Sequence, residues 1–445
     1  MNARLSSGEA AQLSYQIIAR TWLPLALNWL MMAVEGPLLV GLLGRLPEAT
    51  INLAVFSVAF SIALIVEAPI MMLLSSSAAL ATDKTRYEKL WRFASIMALP
   101  LSGFMGVIGT PAVFERLNNL LWHLPSDMAQ RVAGAVWLLI PWPAAIAYRR
   151  LWQGILIRSG KSKRVALGTI LRLAGIGVGV SLGLLFTSWN GAWIAAMALS
   201  AGVLSEMVAV RLWTNSTLRH LPSSKDIPLS YAQILSFYLP LLLTSILGVA
   251  LTPFLTLLIA YGKEPILSLA AYSPTTSTIF LFSCLGVAYQ EVVIVLWGTR
   301  VGRDLFSFAH RIAIGTTLAL GILAFPGMYE LWFGKIFGLP QEIQRLARFG
   351  LLCGWLMPAV VVYLSYLKGY FIWAHRTRVN LLAAFIELLG VFVIGYMLIL
   401  GTSLVALYGA LIGLLASRVG VVFMLTVLAR RALGPIKRAH KMSVI

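Results

Sequence analysis

The chain has 445 residues, of which 59% are hydrophobic and only 11% charged, with a mean hydropathy of +0.86. Soluble domains carry about twice that share of charge, so the composition excludes a soluble enzyme and fits a polytopic, all-α membrane protein. A net charge of +19 would suggest nucleic acid in a soluble chain; here its distribution along the sequence gives another account.

Apolar runs near the roughly 20-residue length that crosses the hydrocarbon are twelve in number. After a polar tail (1–14) they cover 15–43, 48–78, 90–110, 128–149, 163–187 and 191–212. A polar stretch at 213–230 follows, and then come 231–261, 267–298, 308–326, 346–369, 379–400 and 404–429. The first run exceeds a signal-peptide core and carries Glu35 in place of a cleavage site, so it is expected to remain as a span. With the N-terminus in the cytoplasm, 26 of the 35 Lys and Arg residues fall in cytoplasmic segments and 7 outside, and Arg172 and Arg418 lie within spans. This asymmetry puts both termini in the cytoplasm of a plasma (inner) membrane. The basic balance then belongs to anionic lipid headgroups, with no call for nucleic acid.

The second half repeats the first. Residues 143–175 align without a gap to 358–390, sharing Pro143/Pro358, Tyr148/Tyr363, Gly154/Gly369, Ile157/Ile372, Leu173/Leu388 and Gly175/Gly390. At an offset one residue longer, Pro24 and Pro37 recur as Pro240 and Pro253, and Glu48 as Glu264. An even number of spans per half keeps both copies in one orientation, as parallel repeats about an axis along the membrane normal. The expected domains are a six-helix lobe at 1–212, a cytoplasmic linker at 213–230 and a second six-helix lobe at 231–445. Longer outer loops at 111–127 and 327–345 correspond to one another. Paired prolines predict kinked helices in the first and seventh spans.

Seven ionisable groups fall well inside the runs, away from their ends: Glu35, Glu67, Arg172, Glu206, Glu291, Glu387 and Arg418. Each costs roughly 2.5–3.5 kcal/mol at a helix centre, so some must meet water, a ligand or one another. Asn28 precedes Glu35 by two helical turns and shares its face. That amide and carboxylate can hold Na⁺ or take up a proton, or they can join helices by a hydrogen bond. Glu67, two residues before Pro69, is a second candidate, and Gln290 with Glu291 a third nearer the cytoplasmic end. Arg418 either neutralises a carboxylate or attracts an anionic substrate. Arg172 and Glu387 occupy equivalent positions with opposite sign, and Glu206 is placed to pair with a nearby basic residue. Cys284 and Cys353 read as packing residues, and no His/Cys spacing suits a structural metal or other cofactor. The sequence holds no P-loop, HExxH, GxSxG or dinucleotide fingerprint, which argues against an enzyme.

The fourth run ends in Trp152-Gln153-Gly154 and reaches a basic turn at Gly160-Lys161-Ser162-Lys163. This region resembles the fourth-span region of MATE-type exporters in the multidrug/oligosaccharidyl-lipid/polysaccharide (MOP) superfamily. Residues 24–43 and 358–378 are similar to the progressive ankylosis branch of that superfamily. No major-facilitator turn occurs after the second run. The resemblance implies two parallel six-helix lobes, alternating access and coupling to H⁺ or Na⁺ through acidic residues of the first lobe, for which Glu35 is placed. It implies efflux of a small amphiphilic or anionic solute by a monomer in the lipid bilayer. The alternatives are a flippase for a lipid-linked saccharide, whose relatives use several cavity cations, and a membrane enzyme or scaffold.

Overall fold

The computed structural model describes residues 7–222 and 229–442, so part of the predicted linker lies outside the described residues. It is 86% helical, without strands among those residues. Among the described residues, eleven helices are long and apolar enough to span a membrane. In order they are Ser14–Arg45, Ala49–Leu80, Lys84–Ile108, Ser126–Arg158, Lys163–Phe186, Gly191–Arg219, Tyr231–Ala260, Pro265–Leu296, Leu305–Leu323, Thr377–Leu400 and Ala406–Arg431. Between Leu305–Leu323 and Thr377–Leu400, Gln341–Cys353 and Met357–Trp373 meet at a bend of 43°; taken as one span, the pair is the tenth of twelve. Large apolar side chains such as Phe186, Leu185 and Phe423 stand exposed on the bare chain. In a bilayer those faces meet acyl tails.

The prolines break the helices where backbone chemistry requires. Pro37 cannot donate to the Ala33 carbonyl, and the first span divides there into Ser7–Ala33 and Glu35–Arg45. Pro253 does the same to Val249, and the seventh span divides into Tyr231–Val249 and Leu251–Ala260. The second span ends its regular helix at Glu67 and passes through a tight turn at Ala68–Ile70 that contains Pro69. Carbonyls freed by this break are taken up by hydroxyls of the seventh span. Ser245 Oγ donates to Ala68 O at 2.9 Å, and Tyr238 Oη donates to Pro69 O.

The duplication shows in backbone geometry as well as in sequence. Left-handed residues recur at matching offsets: Glu48 with Glu264, His123 with Gly338, and Gly160 with His375. A Cβ on Gly154 would lie 2.5 Å from Leu74 O, and one on Gly369 2.8 Å from Gln290 O, each at the equivalent helix crossing. Gly154→Ala and Gly369→Ala are therefore each expected to destabilise by about 1–3 kcal/mol, since the obstacle is backbone. Gly177 has nothing within 4 Å, so Gly177→Ala should leave the melting temperature unchanged or raise it. Thermal melts of the three detergent-solubilised variants check this ordering. On the last span Gly409 and Gly413 do meet the eleventh closely, whereas Gly420 faces open space. The two outer loops are partly helical: Pro111–Leu121 is an α-helix and Glu330–Ile336 a wider π-type turn.

Packing divides the chain along lines other than the duplicated halves. One unit gathers Met1–Pro37, Pro274–Ile336 and Gln344–Ile445; the other gathers Leu38–Ser273 and Phe337–Ile343. The start of the first span thus belongs with the C-terminal helices. Trp22 Nε1 donates to Leu285 O at 3.0 Å, and Ile18 is buried with Val292, Leu305 and Val362. Reciprocally, the seventh span belongs with the N-terminal helices, where Thr256 Oγ1 donates to Ser61 Oγ at 3.1 Å.

Candidate functional site

Within the second unit the fourth span carries the polar machinery. Its inner segment, Pro141–Arg158, opens with proline at the first helical position. Trp142, Arg149 and Gln153 recur at seven and four residues and so share one face. That face meets carboxylates from two neighbouring spans. Arg149 Nη1 donates to Glu206 Oε2 at 2.5 Å, and Gln153 Nε2 donates to Glu206 Oε1 at 2.9 Å. Glu206 is fully buried, with both oxygens satisfied. Gly168 of the fifth span brings backbone close to it, because a Cβ there would lie 3.3 Å from the carboxylate. Higher on the same face Trp142 Nε1 donates to Glu67 Oε2 at 2.9 Å. The Arg172 guanidinium stands 5.6 Å from the centre of the Trp142 ring, within cation–π reach.

Arg150 differs from its neighbour. It is half-buried, and its Nη2 meets the Met71 sulfur at 3.0 Å, a weak acceptor. Its Nε is sealed off without an acceptor, and it has no ion-pair partner among the described residues. Arg149, Arg150 and Arg172 outnumber the carboxylates Glu67 and Glu206 on these spans, an excess of positive charge inside an apolar bundle.

The other unit holds a smaller counterpart. Arg418 Nε donates to Glu387 Oε1 at 2.7 Å, and Lys368 Nζ lies 3.9 Å from Glu387 Oε2. Arg418 Nη1 also meets the Met357 sulfur at 3.3 Å. Two cations therefore share one carboxylate. By the 215-residue offset Gln153 corresponds to Lys368, Trp142 to Met357 and Arg172 to Glu387. Ser205 and Ser417 confront the equivalent glycines Gly175 and Gly390, so the residues after them, Glu206 and Arg418, correspond as well. The two halves hold the same positions with the charges exchanged: Arg172 and Glu206 in one, Glu387 and Arg418 in the other.

The residues singled out from sequence therefore separate into groups. Glu387 and Arg418 touch, and Glu206 pairs with a basic residue, Arg149. Glu67 and Arg172 meet opposite parts of Trp142. Asn28 and Glu35 are half-buried, but the break at Val34 lies between them, so the straight-helix face shared across two turns is interrupted. Gln290 lends its carbonyl to the Gly369 crossing, and Glu291 is exposed with no ion pair among the described residues. Cys284 and Cys353 are free thiols, buried and half-buried respectively. No group of three or more potential metal ligands occurs among the described residues. Arg149, Arg150 and Lys368 were missed, having been counted with the cytoplasmic turns. Their distance from those turns was the available signal: Arg150 precedes Arg158 by two helical turns, too far to snorkel easily.

No family model matches the chain, and no curated protein does. Solved structures do match over nearly its whole length. One is an inward-facing multidrug resistance MATE family transporter of the MOP superfamily, with TM-score 0.72 and 17% identity over 94% of this chain and 99% of that one. An outward-facing MATE family structure matches at 0.63 and 17%, covering 95% and 96%. A MOP superfamily transporter from Pyrococcus furiosus, described by the reverse polarity of its binding pocket, matches at 0.62 and 17%, covering 98% and 100%. The chain has the two-lobed fold of MATE transporters.

Proposed function

We propose that this chain, built on that fold, is a secondary active transporter exporting a small anionic or amphiphilic solute by alternating access. The observation that carries the reading is the excess of buried and half-buried cations on equivalent spans of both halves. A fixed positive charge in a low-dielectric interior attracts an anion and repels a cationic drug. Arg150, whose contacts include no carboxylate, is the group best placed to receive it. Glu35, at the break of the first span, is the proposed coupling group for H⁺ or Na⁺, with Asn28 as a further oxygen donor. The protein works as a monomer in the plasma membrane with both termini in the cytoplasm, and it carries out no covalent chemistry.

A second reading, flipping of a lipid-linked saccharide, gains from the same cations. Arg149, Arg150 and Lys368 raise the number of deep basic groups above the two visible in sequence. A pyrophosphate linkage would find more than one guanidinium there. Proteoliposomes containing the full chain separate the readings. Counterflow of labelled organic anions, with organic cations as controls, reports the first, and translocation of a labelled lipid-linked saccharide reports the second. Preference for cations, or movement of neither class, would overturn the proposal. Under an imposed pH or Na⁺ gradient, Glu35→Gln is expected to abolish accumulation while leaving equilibrium exchange and folding near normal. A Glu35→Gln protein that still accumulates solute at the wild-type rate and pH dependence would transfer the coupling role to Glu67.

A further inference from the structure

A pocket of about 530 Å³ lies apart from the charged network and is lined by Tyr87, Glu88, Trp91, Tyr148, Trp152 and Arg211. All six come from three spans of one unit. Trp91, Tyr148 and Trp152 form a continuous stack, with ring centres 6.3 and 5.7 Å apart and planes within 26° of parallel. Hydrogen bonds hold the stack in place: Ser95 Oγ meets Tyr148 Oη at 2.9 Å, and Trp152 Nε1 donates to Tyr87 Oη at 3.1 Å. The Arg211 guanidinium lies 5.1 Å from the centre of the Trp152 ring, yet its Nη1 is buried with no hydrogen-bond partner. Glu88 is exposed at the rim. Arg211 and Glu88 therefore border the same space as the Tyr87 hydroxyl.

The pocket is not a by-product of helix packing. At the 215-residue offset the other half keeps the tyrosine contact, since His310 Nδ1 meets Tyr363 Oη at 2.6 Å beside Phe306. There Gly302 and Leu367 stand in place of Tyr87 and Trp152, so the walls are missing. The depth of the pocket is also informative. Tyr87 and Trp91 follow the start of the third span at Lys84 by three and seven residues, and Arg211 precedes the end of the sixth at Arg219 by eight. At 1.5 Å per residue these lie about 5–12 Å inside the helix ends, the depth of lipid headgroups and glycerol.

We propose that this pocket binds the headgroup of a zwitterionic aminophospholipid, its phosphate on Arg211 and Tyr87 and its ammonium on Glu88 and the faces of Trp91 and Tyr148. A guanidinium that lines the pocket calls for an anionic oxygen. An aromatic face beside a carboxylate calls for a cation. One ligand satisfies both only if it carries the two charges a few ångströms apart, as phosphoethanolamine does. An anionic lipid such as phosphatidylglycerol would set its charge near Glu88 without an ammonium to offset it.

The test is native mass spectrometry of the full-length protein in mild detergent, titrated with phosphatidylethanolamine, phosphatidylglycerol or soluble phosphoethanolamine. Phosphatidylethanolamine should be retained about tenfold better than phosphatidylglycerol, the effect of one charge-assisted hydrogen bond. Glu88→Gln should erase that preference, and Arg211→Gln should weaken retention of both lipids. Glu88 and Trp91 are exposed, so Glu88→Gln and Trp91→Leu leave the core intact, and melting curves of each variant verify folding. Equal retention of phosphatidylglycerol would overturn the proposal. So would a preference that survives both Glu88→Gln and Arg211→Gln, or displacement of the lipid by an equal concentration of soluble phosphoethanolamine.

Discussion

Arg149→Leu is expected to lower the stability of the detergent-solubilised protein by about 3–5 kcal/mol, because it strands a buried carboxylate. Glu206 is fully buried and keeps only the Gln153 amide once the guanidinium is gone. The double variant Arg149→Leu/Glu206→Leu should recover most of the loss, since replacing a whole buried pair by apolar groups is often neutral. Gln153→Leu alone should cost less, about 1–2 kcal/mol, because the stronger ionic bond to Glu206 remains. Denaturation curves for the four proteins decide the matter. If the double variant is as unstable as the single, the guanidinium stabilises through packing and the pairing account fails.

Arg150→Gln, one residue along, is expected to behave in the opposite way. Its side-chain contact is the Met71 thioether, so little structure depends on its charge. Stability should stay within about 1 kcal/mol of wild type, the net worth of one ordinary hydrogen bond. Affinity for the transported anion should fall roughly tenfold or more, as expected when a charged hydrogen bond to the solute is lost. Competition binding on the purified protein, read beside its melting curve, separates the two effects. A variant as unstable as Arg149→Leu would make Arg150 a structural residue and remove the main support for an anionic substrate.

The fold was largely legible in the sequence because its determinants are local. Apolar runs fix the spans, and Pro37 and Pro253 fix where two of them break. The repeat was visible at residues such as Gly154 and Gly369, where only glycine lets two backbones approach. The polar network was less legible because its partners are distant in sequence. Arg418 finds Glu387 across 31 residues, and Arg149 finds Glu206 across 57. Counting charges by segment also misplaced Arg149, Arg150 and Lys368. A basic residue near the end of an apolar run looks like part of the turn unless its helical face is considered. The face carrying Trp142, Arg149 and Gln153 was there to be read, but its meaning depended on Glu67 and Glu206 arriving from other spans.

The reciprocal membership of the first and seventh spans bears on how the chain is made. The part of the first span up to Pro37 leaves the ribosome well before its packing partners, which begin at Pro274. At bacterial-to-eukaryotic elongation speeds the intervening residues 38–273 take on the order of 10–50 s to synthesise. Throughout that interval a segment bearing Asn28 and Glu35 must reside in the membrane without its companions. The insertion machinery, or a provisional neighbour in the nascent chain, has to shelter it until the second half arrives. Slowing translation between the two segments should therefore expose the early span to membrane quality-control proteases before any other part of the molecule.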